Sequence, residues 1–307
     1  MIVAYVSHPA CARHRPPAGH PECPERLAVI EELLMSQGVF DFLLHVEAPR
    51  CPRELLERVH APALLAQVIE HEPRAGHRAL DGDTLVGPGS AEAALRAAGA
   101  AVAAVEGVLA GRFDRAFCAV RPPGHHATRD RAMGFCLFDN IALGATRALD
   151  ADGVRRLAIV DFDAHRGNGT EALFAENERV LYCGLHEAGL FPPPRREPAA
   201  SNVCEIALAP GSSGQVLRRE VERVWAPALA AHAPELLLVS AGFDGHARDD
   251  MSALTFGEAD FRWLSEFCVA IADRHASGRV VSVLEGGYDL PSLGRCAAAH
   301  VRTLMAL

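Results

Sequence analysis

The sequence predicts an α/β fold of three layers, α/β/α, in which helices cover both faces of a mostly parallel central sheet. Two observations predict it. Short, almost continuously apolar segments such as Glu235–Ala241 and Val280–Leu284 alternate with longer amphipathic segments. A strand that is apolar on both sides is buried on both sides, as in parallel sheets. No linker composition or internal repeat divides the chain, so we expect a single domain over residues 1–307.

Composition narrows the class of protein. The net charge is -9 and all 30 basic residues are arginine, which argues against a nucleic-acid-binding protein. The nine cysteines are scattered without a C-x-x-C pair, which favours reduced thiols and a cytoplasmic location. The alanine-rich run Ala91–Ala110 contains Glu92, Arg96 and Glu106, so we expect a helix there and no membrane span.

The first half of the chain is predicted to hold one strand and several helices. The apolar run Met1–Val6 predicts the strand. Pro24 can occupy the first turn of a helix, and Leu27, Ile30, Leu33 and Leu34 follow at helical spacing, so a helix should run towards Gly38. Further helices are expected at Arg53–Val59, Pro62–Glu70 and Ala91–Leu109, with a turn-rich loop at Ala79–Ser90.

The second half alternates strands and helices. Strands are expected at Arg115–Val120, Arg156–Asp161, Val180–Gly184, Asn202–Ala209, Glu235–Ala241 and Val280–Leu284. Helices are expected at Asn140–Leu149, Thr170–Glu176, Gly214–His232, Phe256–His275 and Leu290–Leu307. The carboxyl ends of parallel strands share one edge of the sheet, so the loops after them should form the functional site.

Polar residues alternate at the end of the predicted strand Arg156–Asp161. Asp161, Asp163 and His165 are spaced by two and therefore point to the same side of an extended backbone. Asp244 follows another strand at the same edge. Asp163, His165 and Asp244 would give a divalent metal three ligands and leave room for water and a substrate oxygen. Asp161 is spare, and could accept a hydrogen bond from an imidazole or bind a second, harder cation.

Two further loops carry groups that could complete a catalytic site. His125 and His126 suit general acid and base chemistry. Tyr288 follows two glycines and could donate a hydrogen bond to an oxyanion. One such residue alone is more often a cap or a solvated group, but four loops at one edge predict metal-assisted hydrolysis of an amide or ester.

These motifs resemble those of the zinc-dependent histone deacetylase superfamily, which also contains acetylpolyamine amidohydrolases and acetoin-utilisation proteins. The class II branch is the most similar in two respects: the form of the segment Gly19–Leu27, and Asn168 where other classes carry Asp. The resemblance implies an arginase/deacetylase-like fold. The matching segments, in order along the chain, are Gly19–Leu27, Arg121–Asn140, Val160–Thr170, Ser240–Asp250 and Glu285–Tyr288.

The resemblance also implies a role for each residue of the site. Zn²⁺ would be held by Asp163, His165 and Asp244, and the metal-activated water would attack the acetyl carbonyl. The remaining roles are those of His126 as general base and then acid, His125 as electrostatic support oriented by Asp161, Asn168 as the group that orients His126, and Tyr288 as the oxyanion donor.

A channel and a second ion are implied in the same way. Gly134, Phe135, Phe191 and Met251 would line the narrow passage for the acyl-lysine or acyl-amine stem, and Arg26 would lie near an internal cavity associated with acetate exit. A structural K⁺ would be bound by Asp161 and by backbone carbonyls of Asp163, His165 and Leu185.

Three features depart from the family pattern. Arg166 stands where a second histidine is usual. Gly184 replaces a residue that often gives a hydroxyl to the potassium site. The third is the run Arg248–Met251, in which Asp250 stands where Pro is common and Met251 stands where one polyamine-selective branch has a glutamate. Asp249, Asp250 and Glu187 could nevertheless form an acidic mouth for a cationic amine.

The sequence leaves several alternatives open. Acetylated lysine in proteins or peptides is the expected substrate, acetylated polyamines or other small amides are the alternative, and a non-catalytic sensor of acylated ligands is a remote third. The metal used in the cell (zinc or iron) and the oligomeric state are not predicted. Asp81 and Asp83 could hold a substrate backbone or make turns, and the loop histidines His8, His14 and His20 could pack the channel rim or bind a second metal.

Overall fold

A parallel sheet of eight strands forms the centre of the molecule. The computed structural model describes residues 1–195 and 198–307. In chain order the strands are β1 (Val3–Ser7), β2 (Leu44–Glu47), β3 (Arg78–Ala79), β4 (Leu85–Val86), β5 (Arg115–Cys118), β6 (Leu157–Asp161), β7 (Val180–Glu187), β8 (Val203–Leu208), β9 (Leu237–Ala241) and β10 (Val280–Leu284). The order across the sheet is β2-β1-β5-β10-β9-β6-β7-β8, while β3 and β4 form a separate antiparallel pair.

Two separate groups of helices pack on the strands. The helices are α1 (Glu25–Ser36), α2 (Arg53–Val59), α3 (Pro62–Leu65), α4 (Ser90–Leu109), α5 (Asn140–Leu149), α6 (Asn168–Phe174), α7 (Gly214–His232), α8 (Glu258–His275) and α9 (Leu290–Leu304). Helices α4 and α5 pack together on one side, whereas α1, α9, α8 and α7 form a continuous row. The predicted three-layer α/β/α class with a parallel sheet is confirmed.

The strands that carry the site loops are the four central neighbours β5, β10, β9 and β6. Every residue of these four strands is buried. Their continuous apolar sequences are therefore explained by contact with helices on both faces. Because the strands are parallel and adjacent, the four loops after them begin side by side at one edge.

The structure differs from the prediction mainly at the margins of the sheet. Strand β2 was not predicted, β3 begins one residue before the segment expected to be a loop, and β4 lies within that segment. Strand β7 continues past Gly184 to Glu187, because it pairs with β8 along that length. Helix α6 begins at Asn168, and α3 passes into a π-helical turn over Ala66–Glu70.

All nine cysteines are free thiols. Among the described helices none is both long and apolar enough to cross a membrane.

Candidate active site

Three side chains that could bind a metal ion meet where β6 and β9 end. These strands are neighbours, with Asp161 opposite Ser240. Asp163 and His165 follow β6 and Asp244 follows β9, so the short loops bring them together. Their ligand atoms lie within 4.8 Å of one another. Nδ1 of His165 lies 2.8 Å from Oδ2 of Asp244 and 3.1 Å from Oδ1 of Asp163.

The donor set fits a divalent cation. Asp163 and Asp244 are both buried, and two buried carboxylates that face each other repel, which favours a cation between them. Backbone N–H groups hold the carboxylates in place: Gly286 donates to Oδ2 of Asp163 at 2.8 Å, and Ala164 donates to Oδ1 of Asp244 at 2.8 Å. Two carboxylate oxygens and one imidazole nitrogen match the ligands of catalytic zinc sites, which keep a further position open.

Two glycines make room for this cluster. A Cβ on Gly242 would overlap the carboxylate of Asp163. A Cβ on Gly286 would lie 2.5 Å from Oδ2 of Asp163 and 2.5 Å from Oδ2 of Asp244. At both glycines the added Cβ would come closer to a carboxylate than real Cβ atoms come to their neighbours. These two positions therefore tolerate only glycine while the carboxylates keep their places.

The histidine pair lies beside the cluster, and each ring has its own partner. Nδ1 of His125 is 3.0 Å from Oδ2 of Asp161, and Nδ1 of His126 is 2.8 Å from Oδ1 of Asn168. The ring centres of the two histidines are 4.1 Å apart. The amide oxygen of Asn168 can only accept, so Nδ1 of His126 carries the proton and its Nε2 is left free to accept one.

The surroundings shift the pKa values of the two histidines in opposite directions. Burial, with the neighbouring His125 and His165, lowers the pKa of His126 well below its usual value. Burial opposes charge on His125 too, but the carboxylates of Asp161 and Asp163 outweigh it and raise the pKa of His125 well above its usual value. These surroundings favour the neutral form of His126, which suits a base, and the charged form of His125.

Glu285 holds the loop that carries the histidine pair. Its Oε2 accepts hydrogen bonds from the backbone N–H groups of Gly124 at 2.7 Å and His125 at 3.2 Å, and Ser240 donates to Oε1 at 3.2 Å. Burial raises the pKa of Glu285 to about 7. Glu285 lies in one of the matching segments, but its position in the sequence predicted no role. The available signal was a carboxylate at the end of a buried strand, as at Asp161.

Asp249 holds the loop that carries Tyr288. Its Oδ2 accepts from the backbone N–H groups of Tyr288 at 2.6 Å and Asp289 at 2.9 Å. The guanidinium carbon of Arg26 lies 4.9 Å from the ring centre of Tyr288, and Arg26 also donates to the carbonyl of Gly287 at 2.7 Å. Burial raises the pKa of Tyr288 well above its usual value, so its hydroxyl stays protonated and available as a donor.

The prediction of an acidic mouth is wrong for two of its three residues. Asp249 is buried under the Tyr288 loop. Glu187 is also buried, and its Oε2 accepts from the backbone N–H of Ala253 at 2.6 Å. Buried carboxylates must be hydrogen-bonded, and here backbone amides supply the bonds. Only Asp250 of the three is exposed to solvent.

The residues predicted to form the acyl channel line one narrow cavity. Its volume is about 50 Å³, and its walls include Gly134, Phe135, Phe191 and Met251 together with His126, His165, Tyr288 and Asp83. Phe135 meets Tyr288 edge to face at 5.7 Å between ring centres, and Phe191 meets His126 in the same way at 5.1 Å. A Cβ on Gly134 would lie 2.8 Å from the Phe191 ring, so glycine keeps the passage open.

The open alternatives near the rim have different outcomes. Asp81 makes a turn, because its Oδ1 accepts from the N–H groups of Asp83 at 3.1 Å and Thr84 at 2.7 Å. Asp83 lies on the cavity wall. The loop histidines do not converge on a common point: His14 is buried and bonded to the Ser90 hydroxyl at 2.8 Å, while His20 packs edge to face on the Phe135 ring.

The Gly184 departure has a steric explanation. The hydroxyl of Tyr182 donates to Oδ2 of Asp161 at 3.0 Å, and a Cβ on Gly184 would lie 2.7 Å from the Tyr182 ring. Tyr182 thus occupies the space that a larger residue at position 184 would need, and brings its own hydroxyl to Asp161. Leu185 follows on β7, next to β6. Potassium binding there stays a prediction.

A buried ion-pair cluster that was not predicted from the sequence lies next to the Tyr288 loop. Glu22 pairs with Arg121, whose Nη2 is 2.6 Å from Oε2, and with Arg26, whose Nη1 is 3.2 Å from Oε1. Burial disfavours charge on Glu22, but Arg121, His14 and Arg26 outweigh it and lower its pKa to about 2. Arg26 therefore links this cluster to Tyr288. Its predicted place near an acetate exit stays a prediction.

Comparison with known proteins gives concordant matches. The family model described as "Histone deacetylase domain" matches residues 20–304. The chain is 38% identical over 301 residues to a histone deacetylase-like amidohydrolase of Pseudomonas aeruginosa, covering 94% of this chain and 78% of that protein. It is 31% identical over 298 residues to a probable deacetylase of Archaeoglobus fulgidus, covering 94% and 82%. A crystal structure titled as that of the HDA15 HD domain matches with a TM-score of 0.91 and 28% identity over 100% of this chain and 90% of that chain.

Proposed function

Because the chain belongs to the histone deacetylase family, as its motifs predicted, we propose that it is a zinc-dependent hydrolase that removes acetyl groups from lysine side chains of proteins or peptides. One observation carries this proposal. His165 of the candidate metal-ligand cluster, His126 and Tyr288 all border a single cavity of about 50 Å³, a size that suits an acetyl group.

Zinc would be held by Asp163, His165 and Asp244. There it would supply Lewis acidity to the acyl carbonyl and to a water molecule. The case for zinc rests on the donor chemistry of the three side chains and on the charge that the buried carboxylates require.

The histidine pair would move and balance the protons. His126, with Nδ1–H directed to Asn168, can accept a proton at Nε2 from the attacking water and then give it to the leaving amine. His125 stays charged beside Asp161 and opposes the negative charge that develops on the acyl oxygen.

Tyr288 would complete the oxyanion site from the opposite loop. Its hydroxyl remains protonated, and its backbone is fixed through Asp249, so the donor is oriented before the charge develops. Preorganised donors of this kind lower the barrier because they need no reorganisation during the reaction.

The shape of the mouth favours acyl-lysine over polyamines. Exposed carboxylates at the opening would attract the free ammonium group of an acetylated polyamine, whereas Asp249 and Glu187 are both buried and bonded to backbone amides. Acetylated polyamines remain the second candidate, because Asp83 lines the cavity and Asp250 is exposed near it.

A substrate panel tests the proposal. Zinc-reconstituted protein should hydrolyse an acetyl-lysine peptide with a higher kcat/KM than N-acetylputrescine, and a chelator should abolish both activities. A higher kcat/KM for N-acetylputrescine would mean that small acetylated amines are the substrates. Stoichiometric zinc and peptide binding without hydrolysis of either substrate would instead indicate a sensor. The variant Arg155→Gln, at a surface ion pair with Glu235, is a control that should behave as wild type.

A further inference from the structure

Two cysteines lie opposite each other on the last two strands of the sheet. Cys183 on β7 is the direct partner of Cys204 on β8 in the parallel ladder. Side chains of directly opposite residues point to the same face of a sheet, and adjacent strands lie about 4.7–4.9 Å apart. A disulfide can join residues whose Cα atoms are about 4.4–6.8 Å apart. The sheet therefore places these two thiols where a disulfide can form.

The two thiols differ in their access to solvent. Strand β8 is an edge of the sheet, and Cys204 is half-buried there, whereas Cys183 on the inner strand is fully buried. Among the nine cysteines, all of which lie in the described part of the chain, Cys23 is the only other one that is not buried. A small dissolved oxidant can therefore reach Cys204, and Cys183 lies beside it as a second thiol.

The surroundings of Cys204 favour its thiolate. The Cys183 thiol can donate a hydrogen bond to the Cys204 sulfur, which outweighs burial and lowers the pKa of Cys204 to about 7. Burial and the carboxylate of Glu25 instead raise the pKa of Cys23. The thiolate is the form of cysteine that reacts with peroxide, and an accessible thiolate next to a second thiol is the usual arrangement of a redox-sensitive site.

We propose that Cys204 and Cys183 form a reversible disulfide in response to peroxide. The Cys204 thiolate attacks a peroxide oxygen, so that an S–O bond forms, the O–O bond breaks and hydroxide leaves. The Cys183 thiol then attacks the sulfenic sulfur, so that the S–S bond forms and the hydroxyl leaves as water with the thiol proton. Peroxide takes up the two electrons that the thiols lose, and a dithiol reductant returns them.

The pair is separate from the candidate active site. Successive residues of a strand point to opposite faces, so Tyr182, whose hydroxyl donates to Asp161, points away from the face that carries the Cys183 thiol. The proposal therefore concerns a covalent modification of the protein and does not depend on the proposed hydrolysis.

The test treats the full chain with hydrogen peroxide at pH 7 and alkylates the remaining thiols after denaturation. Wild type should lose two of its nine thiols and regain them with dithiothreitol. Trypsin cleaves after Arg195, between the two cysteines, so the disulfide should appear as two joined peptides in the mass spectrum. Cys204→Ser should lose thiols about tenfold more slowly, because a thiol of ordinary pKa, about 8.5, is only slightly ionised at pH 7.

Two further variants distinguish a pair from a single reactive thiol. In Cys183→Ser the Cys204 sulfenic acid has no thiol beside it, so dimedone should trap it and no joined peptides should form. Cys23→Ser removes the other half-buried thiol and is the matched control, which should oxidise as wild type does.

The peptide map of wild type decides the inference even if a variant fails to fold. Joined peptides that contain Cys183 and Cys204 would support it. Oxidation that begins at Cys23 or at any cysteine other than Cys204 would overturn it. A wild-type Cys204 that reacts with dimedone and never joins Cys183 would overturn it as well.

Discussion

The floor and the mouth of the cavity are built differently. At the floor, the carboxylates of Asp163 and Asp244 are fixed by backbone N–H groups from neighbouring loops, and all of these loops follow central strands. At the mouth, Phe191 and Met251 lie on longer loops, the Phe191 ring packs on His126, and Arg166 donates to the carbonyl of Pro193 in the same loop as Phe191. The candidate groups for bond cleavage are thus fixed at the sheet edge, whereas the residues predicted to line the passage for the substrate's stem lie on loops outside it. Substitutions at the floor should lower kcat, and those at the mouth should change KM and selectivity.

The largest effect is expected at the metal cluster. Asp244→Asn removes one of two buried carboxylates, so zinc should no longer be retained at neutral pH and kcat/KM should fall by about 10³-fold or more, since a bound metal contributes several kcal/mol to the transition state. Metal analysis of the purified variant, with its circular dichroism spectrum as a folding control, checks this. Stoichiometric zinc in the variant would remove Asp244 from the ligand set.

A smaller effect on the same floor is expected from Tyr288→Phe. It removes one hydroxyl donor and keeps the ring over Arg26, so zinc content should be normal while kcat falls by about 10²–10³-fold. Single-turnover rates with the acetyl-lysine peptide measure it. Near-normal turnover would mean that another group stabilises the oxyanion.

The smallest effect is expected at the mouth. Phe191→Ala should lower kcat/KM for the acetyl-lysine peptide by about tenfold, mostly through a higher KM, because it removes an apolar wall and no reacting group. Steady-state kinetics separate the two constants. A fall in kcat as large as that of Tyr288→Phe would contradict the division between floor and mouth, and would show that Phe191 also fixes the orientation of His126.

The sequence predicted the fold class well, because long apolar runs are sufficient to mark buried parallel strands. It missed β2, whose residues Leu44–Glu47 are mostly exposed and pair only along the sheet edge with β1. It also missed β3 and β4, which have two residues each. Strand β2 depends on backbone pairing with the distant β1, and β3 and β4 depend on pairing with each other. Such pairing leaves no hydrophobic pattern.

The same physics limited the prediction of the site. Alternation on a strand was enough to group Asp163 with His165, and the geometry of both histidine partners, Asp161 and Asn168, agrees with the expectation. Residues that act through backbone amides were not recognised: Glu285 received no role, and Asp249 was assigned to the mouth. A carboxylate that accepts from distant N–H groups looks, in sequence, like any carboxylate in a loop.

The two glycines beside the metal ligands enlarge the mutational target of the site. Every missense change of a glycine codon adds a Cβ, and at Gly242 or Gly286 that atom would displace the carboxylate of Asp163. Random mutation can therefore inactivate the protein at two codons that encode no ligand, no acid and no base. A saturation library should show both positions as intolerant as the ligands themselves, although neither side chain has any chemistry to lose.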